Sequence, residues 1–559
     1  KGEYLQGTLR EQGKPAAELL GPVLAELTAK IPFRKSMRWG DGDFAFGRPI
    51  RWLVALFGDD VLPLSVAGIA AGRASLGHRF LHPEAVTIDA PSGYVSALRS
   101  AHVLVDAQAR RTLMIERLHA AAAEAGGKLI EDDFLVGENL SLVEDPQVVI
   151  GGFDEDFLEL PDAVILEVAR GHQRYFGMRD EKGSLMPRYL SVVNTAESPQ
   201  NIRQGNDRVM RARLADARFF YREDMKRPLA DRFAELSGIV FQNRLGSVGD
   251  KVERIEALVS ALGEQLGVDA ATIATARAEA RLAKCDLVTW MVGELPELQG
   301  EMGRAYALAQ GVEPAVADVI RDHYLPKSAK DALPPTTAAA LVSLADRIDT
   351  LTGCFAIGLT PTGAADPYGL RRACIATLRI ILDRGLDLSL PAAFAAAYRG
   401  FGGVELDVKA ADLAAQLAKY FRDRLRGLLS EELPVDVVDA ALGAAAQRPL
   451  DVRARAQALA ALDGDVRGRL GEVFKRASNI AAKASEDAKG GDWGVLSTAG
   501  EDAELALIQK YMAVRQSVES KAQAADYAGA FEELAGLAPI LASYFDQVLI
   551  MADDDELRA

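Results

Sequence analysis

Near residue 236 the chain changes character, and this limits its architecture more than any single motif does. Before that point, strand-length apolar runs alternate with helix-length periodic stretches. Residues 50–57, 85–88, 103–105 and 189–193 read as strands. Residues 15–30 read as a helix, with Pro15 near its start and Leu19, Leu20, Val23, Leu24 and Leu27 at helical spacing. Asp106 is placed to cap a helix that ends at Gly126-Gly127, and Pro161 opens another with Ile165 and Val168 on one face. Beyond 236 the strand-like runs fade. Helix follows helix over 250–395, punctuated by Gly246, Gly267, Gly293, Pro296, Gly311, Pro326 and Pro334-Pro335. From about 396 the chain is Ala-rich, Leu-rich and charged, as in helical bundles. The expected class is multidomain α+β: a mixed α/β N-terminal region, then an all-helical remainder. A length of 559 residues fits about three to five domains.

Charge narrows the function. There are 64 Lys and Arg against 80 Asp and Glu, a net charge of −16. A surface basic all over is excluded, so any nucleic-acid contact must come from local patches. The cysteines, Cys285, Cys354 and Cys374, are odd in number and form no CxxC. A disulfide framework and a Cys-rich zinc site are disfavoured, and a reducing cytoplasm fits. No uncharged apolar run reaches ~18 residues. The stretch 341–359 comes nearest, but Asp346, Arg347 and Asp349 interrupt it, so no membrane span is expected. The chain opens KGEYLQ, with neither a signal peptide nor an initiator methionine. An N-terminal piece is expected to be missing.

Catalytic motifs fail one by one. GTLREQGKP (7–15) has the wrong glycine spacing for a phosphate-binding loop, and a proline where Ser or Thr is needed. Of six histidines only His78 and His82, in GHRFLH, lie close together. With no third ligand nearby they read as surface or core residues. There is no GxSxG elbow. YRED (221–224) superficially resembles the Arg-and-acid ATP motif of some synthetases, yet DPYGLRR (366–372) lacks the glycines of its partner motif. No catalytic residue is assigned.

Two basic helices remain. GNDRVMRARLADARFFYRED (205–224) places Arg208, Arg211, Arg218 and Arg222 within an arc of roughly 80° if it is one helix. Val209, Met210, Leu214, Phe220 and Tyr221 fall on the far side, where Arg213 is expected to pair with Asp216 or another acid. The ordinary reading is a solvated face. The sharper one is an outward docking face for an anion, RNA phosphate or an acidic patch on a partner, because Glu223 and Asp224 project elsewhere. In GRLGEVFKRASNIAAKA (468–484), Leu470, Val473, Phe474, Ala477 and Ile480 make a core face. Arg469, Arg476 and Lys483 recur every seven residues on another, flanked by Lys475 and Asn479. That combination suits single-stranded RNA, and an ordinary bundle helix is the alternative.

The chain resembles, nearly end to end, the β subunits of bacterial heterotetrameric glycyl-tRNA synthetases. The resemblance rests on MRWGDGDFAFGRPIRWLVALFG (37–58), GHRFLHP (77–83), LVEDPQVVIGGFDEDFLELP (142–161), GHQRYF (171–176), the 205–224 stretch, KCDLVTWMVGELPELQGEMGRAYA (284–307), LADRIDTLTGCFAIGLTPTGAADPYGLRRA (344–373) and YFDQVLIMADDDELR (544–558). It implies that glycine activation, with its ATP and Mg, resides in a separate α subunit. It further implies that β binds and positions tRNA(Gly), that both assemble as α2β2, and that this chain needs no cofactor of its own. It divides the chain into a tRNA-interacting region (1–236), an HD-like helical domain (237–395), a helical linker (396–450) and a DALR-like anticodon-binding domain (451–559). Two departures stand out. The Glu-rich start of the family is absent before Lys1. Where an HD metal motif needs a His-Asp pair, this chain reads Cys285-Asp286, and His323 is the only histidine between 250 and 400. Metal-dependent phosphohydrolysis is therefore not expected, which disfavours a lone HD-type phosphohydrolase. A third reading is a scaffold whose arginines bind only protein, and steep salt dependence of RNA binding separates it from the first.

Overall fold

The computed structural model describes residues 13–361, 366–444, 446–481 and 502–548. They are mostly helical with small sheets. The chain divides into two compact units, 1–223 and 224–559.

The N-terminal unit is organised by one antiparallel sheet, in the order Lys128–Leu129, Phe176–Arg179, Leu185–Val193, Gln147–Gly152. The strand Leu185–Val193 is covered on both faces. Leu190 and Phe176 meet Met114 and Leu118 of the helix Ala107–Glu124 in one core. That helix is capped by Asp106 as the sequence predicts, its carboxylate accepting the N–H groups of Gln108 and Ala109. On the other face Tyr189 stacks on Tyr175, with ring centres 4.5 Å apart. Its cross-strand neighbour is Gly151, where a Cβ would stand 2.1 Å from the Tyr189 ring. Glycine is needed there for the ring to lie across the sheet.

Two expected strands are revised. Residues 103–105 form no strand, because Val103 N–H donates to Leu98 O and Leu104 N–H to Glu144 O instead of joining a ladder. Residues 50–57 hold two short strands. Leu53–Val54 runs parallel to Ile69–Gly72, and Leu56–Phe57 turns back on Asp60–Val61 through Gly58 at φ +61°. The helix Ala16–Ala29 forms, but its leucines do not make a core: Leu19 and Leu27 are exposed.

In the second unit the helix Thr337–Ala356 has fifteen of its twenty residues buried, because it is apolar almost all round and is wrapped by its neighbours. The helix Val248–Gln265 begins with a reciprocal cap between Ser247 and Asp250. The apolar core runs continuously from Leu245 to Ala456, across the expected boundaries at 396 and 450. A smaller cluster of Leu462, Leu470 and Ala535, with Val466, Phe531 and Leu534 packed against it, joins the helices Gly464–Ala481 and Tyr527–Ala535. No described helix is long and apolar enough to cross a membrane.

Candidate nucleic-acid interface

The arginine-rich stretch is one helix, Pro199–Met225. Its buried line is narrow. Met210, Leu214, Ala217 and Asp224 are buried, with half-buried Tyr221 between the last two, a 4-3-4-3 spacing that keeps one stripe inward. Val209 and Phe219 are exposed, so Val209 does not belong to the core side expected of it. Asp207 ties the helix to the sheet, its Oδ1 accepting the Tyr189 hydroxyl at 2.7 Å and the Gly152 N–H at 2.8 Å.

The premise that its arginines lack internal counterions is overturned. Arg211 Nε lies 3.1 Å from Asp154, Arg222 Nη2 lies 2.7 Å from Glu159, and Arg218 Nε lies 3.7 Å from the same carboxylate. Arg218 also sits over the Phe157 ring, 4.4 Å from its centre. The acids come from the segment 154–159, Asp-Glu-Asp-Phe-Leu-Glu, which lies beside the helix. They do not come from Glu223 or Asp224, the neighbours considered on the helix itself. FDEDFLEL was visible in the sequence, but nothing local tied it to a helix some fifty residues on. Arg208 is exposed and forms no ion pair among the described residues, and Arg213, expected inward beside Asp216, is also exposed and unpaired with it. Exposed pairs of this kind contribute roughly 0–1 kcal/mol each. Arg218, half-buried and stacked, contributes more: Arg218→Gln should lower the unfolding free energy by about 1 kcal/mol, read from the urea midpoint of the N-terminal transition. An unchanged midpoint would show that it is no strut.

Asp224, the acid of YRED, is fully buried and holds backbone rather than nucleotide. Its carboxylate accepts the N–H groups of Trp290 and Met291 at 3.0 Å each and the Tyr306 hydroxyl at 2.8 Å, with Arg232 3.4 Å away. His78 is likewise structural. Its Nδ1 accepts from Phe80 and Leu81 N–H, which leaves Nε2–H to donate to Asn194 O at 2.6 Å.

The second basic helix, Gly464–Ala481, presents Arg469, Lys475, Arg476 and Asn479 to solvent. Lys483 lies outside the described residues. Leu470 is buried, but Phe474 is 56 % exposed and Ala477 is also exposed. The expected core face is therefore covered only along its first turns, where Val466 and Leu470 meet Leu534 and Ala535. Arg476 lies 5.7 Å from the Phe545 ring centre.

At the place of the expected metal pair, Cys285 is buried and its thiol is pushed up to about 12, by burial first and then by Asp286. Burial pushes the Asp286 carboxyl up to about 6, against the N–H groups of Gly300 and Gly303 that it accepts. Among the described residues no group of three or more His, Cys, Asp or Glu is placed to hold a metal ion. Sequence reading missed the network nearby. Asp346 Oδ1 takes the Lys251 ammonium and Oδ2 the Lys284 ammonium, each at 2.8 Å. Asp349 takes Lys251 at 3.0 Å and Arg254 at 2.7 Å. The only signal was three charges interrupting an apolar helix.

Two family models match the chain. Residues 1–443 match the glycyl-tRNA synthetase beta subunit, and residues 471–559 match the DALR anticodon binding domain. Relatives named glycine–tRNA ligase beta subunit include those of Myxococcus xanthus, 44% identical, and Anaeromyxobacter sp. (strain K), 43% identical, each over 100% of this chain and 80% of the relative. That of Geobacter sulfurreducens is 41% identical over 99% of this chain and 80% of its own.

Proposed function

The chain belongs to the glycyl-tRNA synthetase beta subunit family, and we propose that it binds and positions tRNA(Gly) while a separate alpha subunit performs the ATP-dependent attachment of glycine. One observation carries this reading. The C-terminal residues match an anticodon-binding domain, and the helix that enters that match holds Arg469, Lys475, Arg476 and Asn479 exposed on one stretch. Cations and an amide in that arrangement meet phosphate and unstacked bases. Binding energy gathered at the anticodon arm can be used to orient the distant acceptor end, so a subunit without a reacting group still raises the rate.

The rest of the reading follows the family resemblance. It comprises an α2β2 assembly in the cytoplasm, ATP and Mg held by alpha, no cofactor in this chain, and an HD-like domain over 237–395 whose metal site is degenerate. Cys285, a buried thiol standing where the HD metal motif needs a histidine, supports that last point, with His323 the only histidine between 250 and 400. The arginine helix is a weaker candidate for RNA than its sequence suggests. Arg208, with no ion pair, is its best phosphate contact, and Arg211, Arg218 and Arg222 would first have to leave Asp154 and Glu159.

The purified chain should show no glycine-dependent pyrophosphate exchange and no glycylation of tRNA alone, and should gain both on mixing with an alpha subunit. Exchange by the chain alone would sink the division of labour. Arg469→Gln with Arg476→Gln should weaken tRNA binding and flatten its log–log salt slope by about 0.7–0.9 for each phosphate no longer neutralised. An unaltered slope would remove this helix from the interface.

A further inference from the structure

The helical unit holds a cavity of about 770 Å³ that the roles above leave unused. Small-molecule sites fall at roughly 300–1,000 Å³. Five cationic side chains line it, Lys251, Lys284, Lys327, Arg347 and Arg372, against two carboxylates, Asp346 and Glu297. Two of the cations are committed to the fold. Lys251 is held by Asp346, Asp349 and the Thr350 hydroxyl. Arg347 donates to the main-chain oxygens of His323, Tyr324, Pro326 and Ser343.

Lys284 is different. It is buried, with 6% of its surface exposed, and among the described residues it donates to Asp346 Oδ2 alone, which leaves N–H capacity on an ammonium that can make three bonds. Its Nζ lies 3.9 Å from the centre of the Tyr324 ring. Tyr324 in turn meets His323, with ring centres 3.9 Å apart. The Tyr324 hydroxyl is buried without a hydrogen-bond partner, and so is His323 Nε2. His323 is fully buried, and its Nδ1, 2.8 Å from Ile320 O, must carry the proton. Nε2 is therefore a lone pair awaiting a donor. Buried polar atoms are rarely left unpaired. Here the residues that carry the spare donor, the spare acceptor and the spare hydroxyl all line one cavity. At the rim Lys327 and Arg372 are exposed and form no ion pair among the described residues.

The charge decides the class of ligand. A cation is not wanted, because both oxygens of Asp346 already hold ammonium groups. An anion would be met by Lys284 from inside and by Lys327 and Arg372 from the rim. The acceptor at His323 asks the same ligand for a hydroxyl. We propose that this cavity binds a small phosphate ester bearing a free hydroxyl, a ribonucleotide, with its phosphate on Lys284, Lys327 and Arg372 and a sugar hydroxyl donated to His323 Nε2. Tyr368, 40% exposed at the rim, offers an aromatic face to a base. The same chemistry is supplied by a free nucleotide or by the terminal nucleotide of an RNA. The proposal does not depend on the subunit role above.

Equilibrium dialysis of the purified full chain against radiolabelled AMP tests it. Saturable binding is expected, weakened about tenfold in 2′,3′-dideoxy-AMP and by at least about tenfold in the rim variant Lys327→Gln/Arg372→Gln, whose exposed side chains form no ion pair among the described residues. Competition separates the sources. Displacement by intact tRNA but not by tRNA lacking its 3′-terminal nucleotide assigns the pocket to an RNA end, and indifference to both assigns it to a free nucleotide. No AMP binding in the millimolar range, equal binding by the rim variant, or no preference for the ribose hydroxyls would overturn the proposal.

Discussion

Asp349→Ala should unfold the helical unit, or bring it close to unfolding, with a loss of about 3–5 kcal/mol. Asp349 is 1% exposed on the helix Thr337–Ala356, which has fifteen of its twenty residues buried. It accepts from Arg254 Nε at 2.7 Å and from Lys251 Nζ at 3.0 Å. Without it Lys251 keeps Asp346, already shared with Lys284, and Arg254 keeps only the Leu245 carbonyl, and an uncompensated buried charge costs far more than the pair contributed. Arg254 cannot swing out to water, because its guanidinium is stacked 4.3 Å from the centre of the Phe401 ring. Whole domains are stable by only about 5–15 kcal/mol, so the loss is large. Asp346 should behave alike. Burial raises its proton affinity, yet Lys251 and Lys284 hold its carboxyl well below the usual carboxylate range. A folded value held below the unfolded one contributes stability at neutral pH that disappears on acidification through the folded value. Urea unfolding followed by circular dichroism measures the loss. A shift under about 1 kcal/mol in Asp349→Ala would mean that water enters the network and that the cations are not truly buried.

That network also shows what the sequence could and could not disclose. The division into an α/β part and a helical part was legible, because period-2 and period-3.6 patterns are local and the turn residues between them are few. So were the cap at Asp106 and the single helix through the arginines. Residues 103–105 misled because three apolar residues in a row say nothing about whether another strand lies alongside, and their N–H groups went to Leu98 and Glu144 instead. The arginine face misled for the same physical reason. Angles around a helix place residues on one side of it, but they do not say what lies opposite, and here it was Asp154, Phe157 and Glu159. Lys251, Lys284, His323 and Asp346 are scattered over about a hundred positions and match no motif. Only the fold brings them to one cavity. The exposure of Arg469 and Arg476, two members of the expected stripe, and of the flanking Lys475 was legible, because a helix with little packed against it keeps its sequence pattern.

Glu279→Gln should stabilise the chain above neutral pH and have little effect in acid. Glu279 is 1% exposed on the helix Ala270–Leu282, and among the described residues its Oε2 has no hydrogen-bond partner. Burial alone pushes its carboxyl up to about 7 from an ordinary 4.5. The sign follows from proton counting. Between those two values the native chain holds a proton that the unfolded chain has released, so stability falls as pH rises through this window. Above it the native state carries a buried, unpaired carboxylate. The full cost is about 3 kcal/mol, since each tenfold change in proton affinity is worth about 1.4 kcal/mol. Asp286, pushed up to about 6 for the same first reason, steepens the slope. Its two backbone N–H partners at Gly300 and Gly303 make it the poorer target, because removing its oxygens strands them. Glutamine keeps the shape of Glu279 and cannot ionise, so Glu279→Gln should raise the unfolding free energy by about 2–3 kcal/mol near pH 8, and the gain should shrink to nothing near pH 4.5. Paired urea titrations of the wild type and the variant across that range measure the difference directly. A gain independent of pH would mean that the amide improves packing rather than removing a charge. No gain at either end would mean that the carboxylate is hydrated in the native chain, so that its burial in the helical core is incomplete.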